Sequence, residues 1–247
     1  MTHFKDQTII ITGGATGLGA AAAELAARQG ARVAVLDLNE LEGRATADRV
    51  NGKFWPLDVS RAEDWAGVLD DVEQQLGPAR FAFLNAGIMT RRLNPELSIS
   101  PEEILNVDRY EQLVRVNLNG VFYGISHLLP LFTKAGEGAI TVTSSVGGLQ
   151  PIPFDPVYSM TKHGLVGLVR SLGAALASGP VRINAICPGG FSSDLFPVEL
   201  RTADTLRPDE VAQQALDLLA TGSMGEIRAV LSRQDISRPV PVPDLGE

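Results

Sequence analysis

Seven short apolar runs alternate with longer stretches in which apolar residues recur three and four apart, and this rhythm restricts the chain more than any other feature of its sequence. The runs fall at residues 8–11, 33–36, 54–57, 81–84, 140–142, 181–186 and, more weakly, 227–231. Several are rich in Val and Ile and nearly unbroken, as strands buried on both faces must be. Between them the spacing predicts helices over 20–29, 39–50, 60–76, 108–134, 156–178 and 209–221. Gly30 stops the first; Ser60, with Glu63 three residues on, is an N-cap candidate for the third, which Gly77-Pro78 closes. Repeated strand–helix–strand units imply parallel strands, right-handed crossovers and helices on both faces. The expected fold class is therefore α/β, a doubly wound parallel sheet of about seven strands, in a single domain over residues 1–247.

Such sheets bind ligands beyond the carboxyl ends of their strands. The first run leads at once into Thr12-Gly13-Gly14-Ala15-Thr16-Gly17-Leu18-Gly19 and then a helix. Glycines there let the chain turn sharply and approach a pyrophosphate, to which the helix N-terminus offers free N–H groups and a positive dipole end. Glycine pairs alone mark any tight turn; their place between the first strand and first helix is what selects a Rossmann-type dinucleotide site. The contacts expected here are Gly13, Thr16, Gly17, Leu18 and Gly19. Asp37 closes the second run, eighteen residues beyond Gly19, with Leu38 after it. A carboxylate there accepts from both adenosine ribose hydroxyls and repels the 2′-phosphate of NADP; the plainer reading is a solvated acid or a cap beside Asn39. Neither Arg nor Lys stands in the glycine turn or directly after Asp37, so the expected cofactor is NAD. Asp58-Val59 and Asn85-Ala86-Gly87 end the third and fourth runs beside the first, although Asp58 equally suits a cap for the helix near Ser60.

The second constellation is chemical. Tyr158 and Lys162 stand four residues apart, on one face of a predicted helix. A phenol of ordinary pKa is a poor acid–base catalyst at neutral pH, and a neighbouring cation favours its phenolate. Ser145, thirteen residues before Tyr158, ends the fifth run and suits a hydrogen bond to a substrate oxygen; Ser144 is its adjacent rival. Asn117 lies in an apolar helical stretch, where an amide needs partners, and holding a water beside Lys162 is one such role.

Together these residues resemble the short-chain dehydrogenase/reductase family, over the segment from Thr12 to about Ser193. Thr12, Gly13, Gly17 and Gly19 fit its glycine pattern, Asn85-Ala86-Gly87 its Asn-Ala-Gly motif, and Asn117, Ser145, Tyr158 and Lys162 its catalytic tetrad. Pro188-Gly189 followed by Ser193 fits a further motif, with Ser in place of Thr. The resemblance implies that Tyr158 is the general acid or base and that Lys162 lowers its pKa and binds the nicotinamide ribose. It further implies that Ser145 polarises the substrate carbonyl, that Asn117 anchors a relay water, and that Pro188, Gly189, Phe191 and Ser193 lie against the cofactor. The implied reaction is hydride transfer between NAD and a hydrophobic secondary alcohol or its ketone. Two rival readings stand beside it: an NADPH-dependent carbonyl or 3-oxoacyl reductase, which Asp37 opposes, and a non-catalytic dinucleotide sensor, which has no need of a tetrad.

The segment between Gly87 and Asn117 is longer than the family pattern, and the substrate loop at about 190–207 is short. Phe191, Leu195, Phe196, Pro197, Val198 and Leu200 suggest a greasy wall there, with Phe154 and Pro156 adding to it; the alternative is ordinary loop packing. Arg91 and Arg92 read as a solvated pair or a contact for an acidic substrate group. The proline-rich tail 232–247 reads as an extended arm, which leaves homodimer and homotetramer open, with association expected through the helices over 108–134 and 156–178. A formal net charge of −8 argues against nucleic acid and against an anionic membrane surface as partners. Cys187, the one cysteine, excludes an intrachain disulfide, and His3, His127 and His163 are scattered, so no metal site is expected. An N-terminus without an apolar leader completes the expectation of a cytoplasmic protein.

Overall fold

Strands β1 (Thr8–Thr12), β2 (Arg32–Asp37), β3 (Lys53–Pro56), β4 (Ala79–Leu84), β5 (Gly138–Thr143), β6 (Val181–Pro188), β7 (Ile227–Val230) and β8 (Arg238–Pro239) form one sheet in the order β3-β2-β1-β4-β5-β6-β7-β8. The computed structural model describes residues 3–90, 100, 102, 105–192, 201–233 and 237–242. The first seven strands are parallel, and β8 runs antiparallel to β7. Eight strands thus replace the expected seven. The addition comes from the proline-rich tail, whose extended backbone finds a partner in the β7 edge, where a proline's missing N–H is tolerated.

Helices α1 (Gly17–Arg28), α2 (Glu40–Arg49), α3 (Ala62–Leu76), α4 (Val107–Leu113), α5 (Gly120–Ala135), α6 (Pro156–Ala175) and α7 (Pro208–Thr221) connect them. Alternate residues of the central strands point to opposite faces, as a pleated strand requires. Ile10, Leu36, Leu84 and Val142 meet Trp65 of α3, Leu128 of α5 and Leu165 of α6 in one apolar cluster. Ile9, Ile11, Val35 and Phe83 meet Ala22 of α1 and Leu216 of α7 in the other. Both faces of the sheet are therefore covered, and the open end lies beyond the strand carboxyl ends.

Three local expectations change. The helix expected over 108–134 is α4 and α5 joined by a π-helical turn at Val114–Asn119, a widening by one residue that recurs at functional sites. Helix α3 starts two residues after Ser60, with Arg61 at the cap position and no side-chain cap. Ser60 instead gives its N–H (2.9 Å) and hydroxyl (2.7 Å) to Asp58 Oδ1, so Asp58 organises the turn before the helix rather than capping it. Helix α6 ends at Ala175, short of 178. Arg91, Arg92, Ser193, Leu195, Phe196, Pro197, Val198, Leu200 and residues 234–236 and 243–247 of the tail lie outside the described residues. No described helix is long and apolar enough to cross a membrane.

Candidate active site

The sheet order reverses between β1 and β4, and the crevice at their carboxyl ends is held open by polar ties. Thr12 Oγ1 accepts from the N–H of Asn85 (3.0 Å) and of Ala86 (3.2 Å), while Asn85 Nδ2 donates to Gly13 O (3.2 Å). Thr143 at the end of β5 donates to Asn85 Oδ1 (3.1 Å), so one side chain joins three strand ends. Above this lies the glycine turn. A Cβ on Gly19 would sit 2.0 Å from Gly13 O, so only glycine lets α1 pack down on the turn. Gly17 has φ +54°, and a Cβ there would meet nothing within 4 Å. The backbone is thus bent to leave free space in front of the first turn of α1. That turn has no acidic residue, and Thr16 at its cap position makes no side-chain cap, so its N–H groups face the space unneutralised. A pyrophosphate fits this cradle.

Asp37 stands beside the turn. Its Oδ2 accepts from Ala15 N and its Oδ1 from Asn39 N, both at 3.0 Å. Each carboxylate oxygen retains a second acceptor position, enough for the two ribose hydroxyls the sequence reading assigned to it. Leu38 is exposed next to it, and Val59 is buried. The Leu18 side chain is in the core, and its backbone lies at the turn. Phe191, half-buried, packs against that same apolar cluster and bridges to Leu206, and Gly189 N donates to Val230 O at 2.8 Å.

The chemical residues converge past β4 and β5. Asn117 is fully buried in the π-helical turn; its Oδ1 accepts from Ile88 N (2.9 Å), and its Nδ2 donates to Ile88 O (2.9 Å) and Thr161 Oγ1 (3.1 Å). The expected partner for this amide was a water. These bonds clamp the strand exit at Ile88 and leave one acceptor position on Oδ1. Lys162 is buried on α6, donates from Nζ to Thr143 O (2.8 Å), and lies 5.6 Å from the centre of the Tyr158 ring. A Cβ on Gly87 would come within 3.3 Å of Asn117 Oδ1 and 3.4 Å of Lys162 Nζ, which places all three around one point.

The two serines separate cleanly. Ser144 is buried and donates to Lys162 O (2.9 Å), whereas Ser145 Oγ accepts from Gly147 N (3.0 Å) and donates to Pro188 O (3.5 Å); a Cβ on Gly147 would meet both Ser145 Oγ and the Tyr158 ring at 3.5 Å. Burial pushes the half-buried Tyr158 phenol up to about 12; the Ser145 hydrogen bond pulls it back, and the negative charges of Asp155 and Cys187 raise it further. Burial likewise draws the Lys162 ammonium down to about 8. The expected drop in the phenol's pKa is therefore not realised in the protein alone. Desolvation is the leading cause of both shifts, and it favours the neutral phenol and the neutral amine.

Sequence reasoning passed over Thr143, Thr161, Thr90 and Asp155. The first two sit in or beside motifs that it read, but nothing in local spacing marks a threonine as a hydrogen-bond bridge. Asp155 carried the signal of an acid just ahead of an N-terminal helix proline.

The short chain dehydrogenase family model matches residues 7–203. This chain belongs to the short-chain dehydrogenases. It is 30% identical to the cyclohexanol dehydrogenase of Acinetobacter sp. (strain SE19), over 88% of this chain and 89% of that protein. To the levodione reductase of Leifsonia aquatica it is 29% identical, over 91% of this chain and 84% of the relative. Among solved structures, the 3-ketoacyl-(acyl-carrier-protein) reductase from Brucella melitensis, complexed with NADH, superposes with a TM-score of 0.79 at 25% identity, over 92% of this chain and 97% of that one. The short-chain dehydrogenase is thus an oxidoreductase with a Rossmann-type nucleotide-binding sheet, acting in the chemistry of alcohols and ketones.

Proposed function

We propose that this short-chain dehydrogenase uses NAD to interconvert a hydrophobic secondary alcohol and its ketone, with Asn117, Ser145, Tyr158 and Lys162 as the working tetrad. The observation that carries the proposal is the convergence of Ser145 Oγ and the Tyr158 ring on one point above Gly147, with the buried Lys162 Nζ 5.6 Å from the centre of that ring. In the oxidative direction the Tyr158 oxygen takes the hydroxyl proton, and in reduction it returns it. Ser145 holds and polarises the substrate oxygen. Lys162, once charged, stabilises the phenolate and hydrogen-bonds the nicotinamide ribose. Asn117 fixes the strand exit at Ile88 against the catalytic helix, and its remaining acceptor position serves a relay water. Bound NAD supplies the hydride acceptor and a positively charged ring. Gly13, Thr16, Gly17, the backbone of Leu18 and Gly19 hold the pyrophosphate, Asp37 the adenosine ribose, and Asp58, Val59 and Asn85-Ala86-Gly87 line the rest of the crevice.

The names of the relatives direct the choice of substrate toward ring-borne alcohols, beginning with cyclohexanol. Nucleotide reduction at 340 nm, with NAD and NADP tried separately against cyclic and open-chain secondary alcohols, tests the reading. Turnover with NAD supports it. Turnover with NADP alone removes Asp37 from its role and favours the carbonyl or 3-oxoacyl reductase reading. Cofactor binding without turnover across the panel favours the sensor.

As a working enzyme it is a cytoplasmic homo-oligomer, at least a dimer, without nucleic acid or membrane as partner. Exposed Tyr110, Phe122, Leu131 and Met160 on α4, α5 and α6 supply the apolar surface for that contact. Light scattering that returned the mass of one chain would overturn this assignment.

A further inference from the structure

One buried carboxylate stands outside the tetrad. Asp155 precedes α6 and is about as deeply buried as the core leucines. Its Oδ1 accepts from Tyr158 N (3.0 Å), which caps the helix that carries Tyr158 and Lys162, and also from Thr90 Oγ1. Its Oδ2 accepts from Thr90 N (2.9 Å). Thr90 is itself buried, at the end of the exit from β4. That exit is pinned at Asn85 by Thr12 and Thr143, at Ile88 by Asn117, and at Thr90 by Asp155. The segment is therefore a continuous rail from the glycine turn to the catalytic helix, and Asp155 is its last clamp.

A serine or asparagine would cap α6 about as well. What a carboxylate adds is a second acceptor oxygen, enough to take both Thr90 donors together with the helix N–H. We infer that Asp155 is a positioning residue: it locks the β4 exit to the catalytic helix through Thr90. This rests on the reading of Tyr158 as the acid–base group.

Thr90→Val removes the hydroxyl donor to Asp155 and loosens the clamp. With circular dichroism confirming the fold, alcohol oxidation is expected to fall about fivefold in kcat with NAD affinity unchanged, and unaltered kcat overturns the clamp. Thr90→Ser keeps the hydroxyl and is expected to restore kcat; a loss equal to that of the valine variant overturns the assignment to this hydrogen bond. If Tyr158→Phe retains full turnover, the acid–base reading fails instead, whatever the Thr90 variants show.

Discussion

The two sides of the β1–β4–β5 crevice are built on opposite principles. On the cofactor side the work is done by backbone: a glycine turn, unneutralised helix N–H groups, and polar side chains that either brace the strand ends or stay half open, as Asp37 does. On the chemical side, ionisable groups are taken out of water, and Tyr158, Lys162 and Cys187 are all shifted by burial toward their neutral forms. The first side is shaped to receive a charged ligand. The second holds its charges back until one arrives.

The sharpest way to break this contrast is Tyr158→Phe. Turnover is expected to fall by about 10³-fold or more, while NAD affinity, set across the crevice, changes by less than about twofold. A parallel loss of NAD binding, read by fluorescence titration, would show that the two sides are not separable. Gly19→Val attacks from the other side. Its Cβ would collide with Gly13 O and push α1 away from the turn, so NAD affinity should fall by about 100-fold, the scale of several lost charge-assisted hydrogen bonds. An intact Kd in that variant would mean that the pyrophosphate binds elsewhere.

Asp37→Ala is gentler. It removes two acceptors and one repelling charge, so kcat/KM for NAD should drop about tenfold or somewhat more, while that for NADP rises. The ratio of the two constants is the quantity to follow, because it cancels any general weakening of the turn. A ratio that stayed at its wild-type value would take cofactor choice away from Asp37.

How much of this was legible beforehand follows the same divide. The cofactor side is contiguous in sequence: Thr12 to Gly19, then Asp37, each just past an apolar run, so period and glycine placement locate it before any coordinates. The tetrad was found by residue type and spacing, but its environment was not. Asn117 clamps Ile88, a role its sequence neighbours do not announce, and Lys162 was expected to lower a phenol that burial raises. Both outcomes depend on which segments pack together, and a chain read alone gives no measure of desolvation. The same holds for Asp155, whose Thr90 partner lies 65 residues away. Ser60 failed for a smaller reason: Asp58 competes for its donors and turns the chain before the helix can start. The eighth strand was hidden because prolines argue against strands, except at an edge, and no sequence pattern says where the edge will be.

The smallest expected effect separates stability from catalysis at Lys162. Its ordinary pKa of 10.5 falls to about 8 in the folded protein, with burial as the leading cause. Between those values the unfolded chain holds a proton that the folded chain does not, so this residue makes stability rise with pH across that window. Below about pH 8 both states are protonated, and the folded protein bears the whole cost of a buried ammonium. Lys162→Met keeps the stem and removes the charge. It abolishes turnover, yet at pH 7 it should be more stable than wild type by on the order of 1–3 kcal/mol, less about 1 kcal/mol for leaving Thr143 O without its donor. That corresponds to a melting temperature a few degrees higher. The advantage should shrink as pH rises from about 8 and vanish near 10.5, where wild-type lysine is neutral in both states; from about pH 10 upward the raised Tyr158 phenol destabilises both proteins alike. Melting curves of the two proteins from pH 6 to 10.5 measure this directly. A wild type more stable than the variant at pH 7 would mean that the ammonium is already paired in the empty site, and that the chemical side does not withhold its charge.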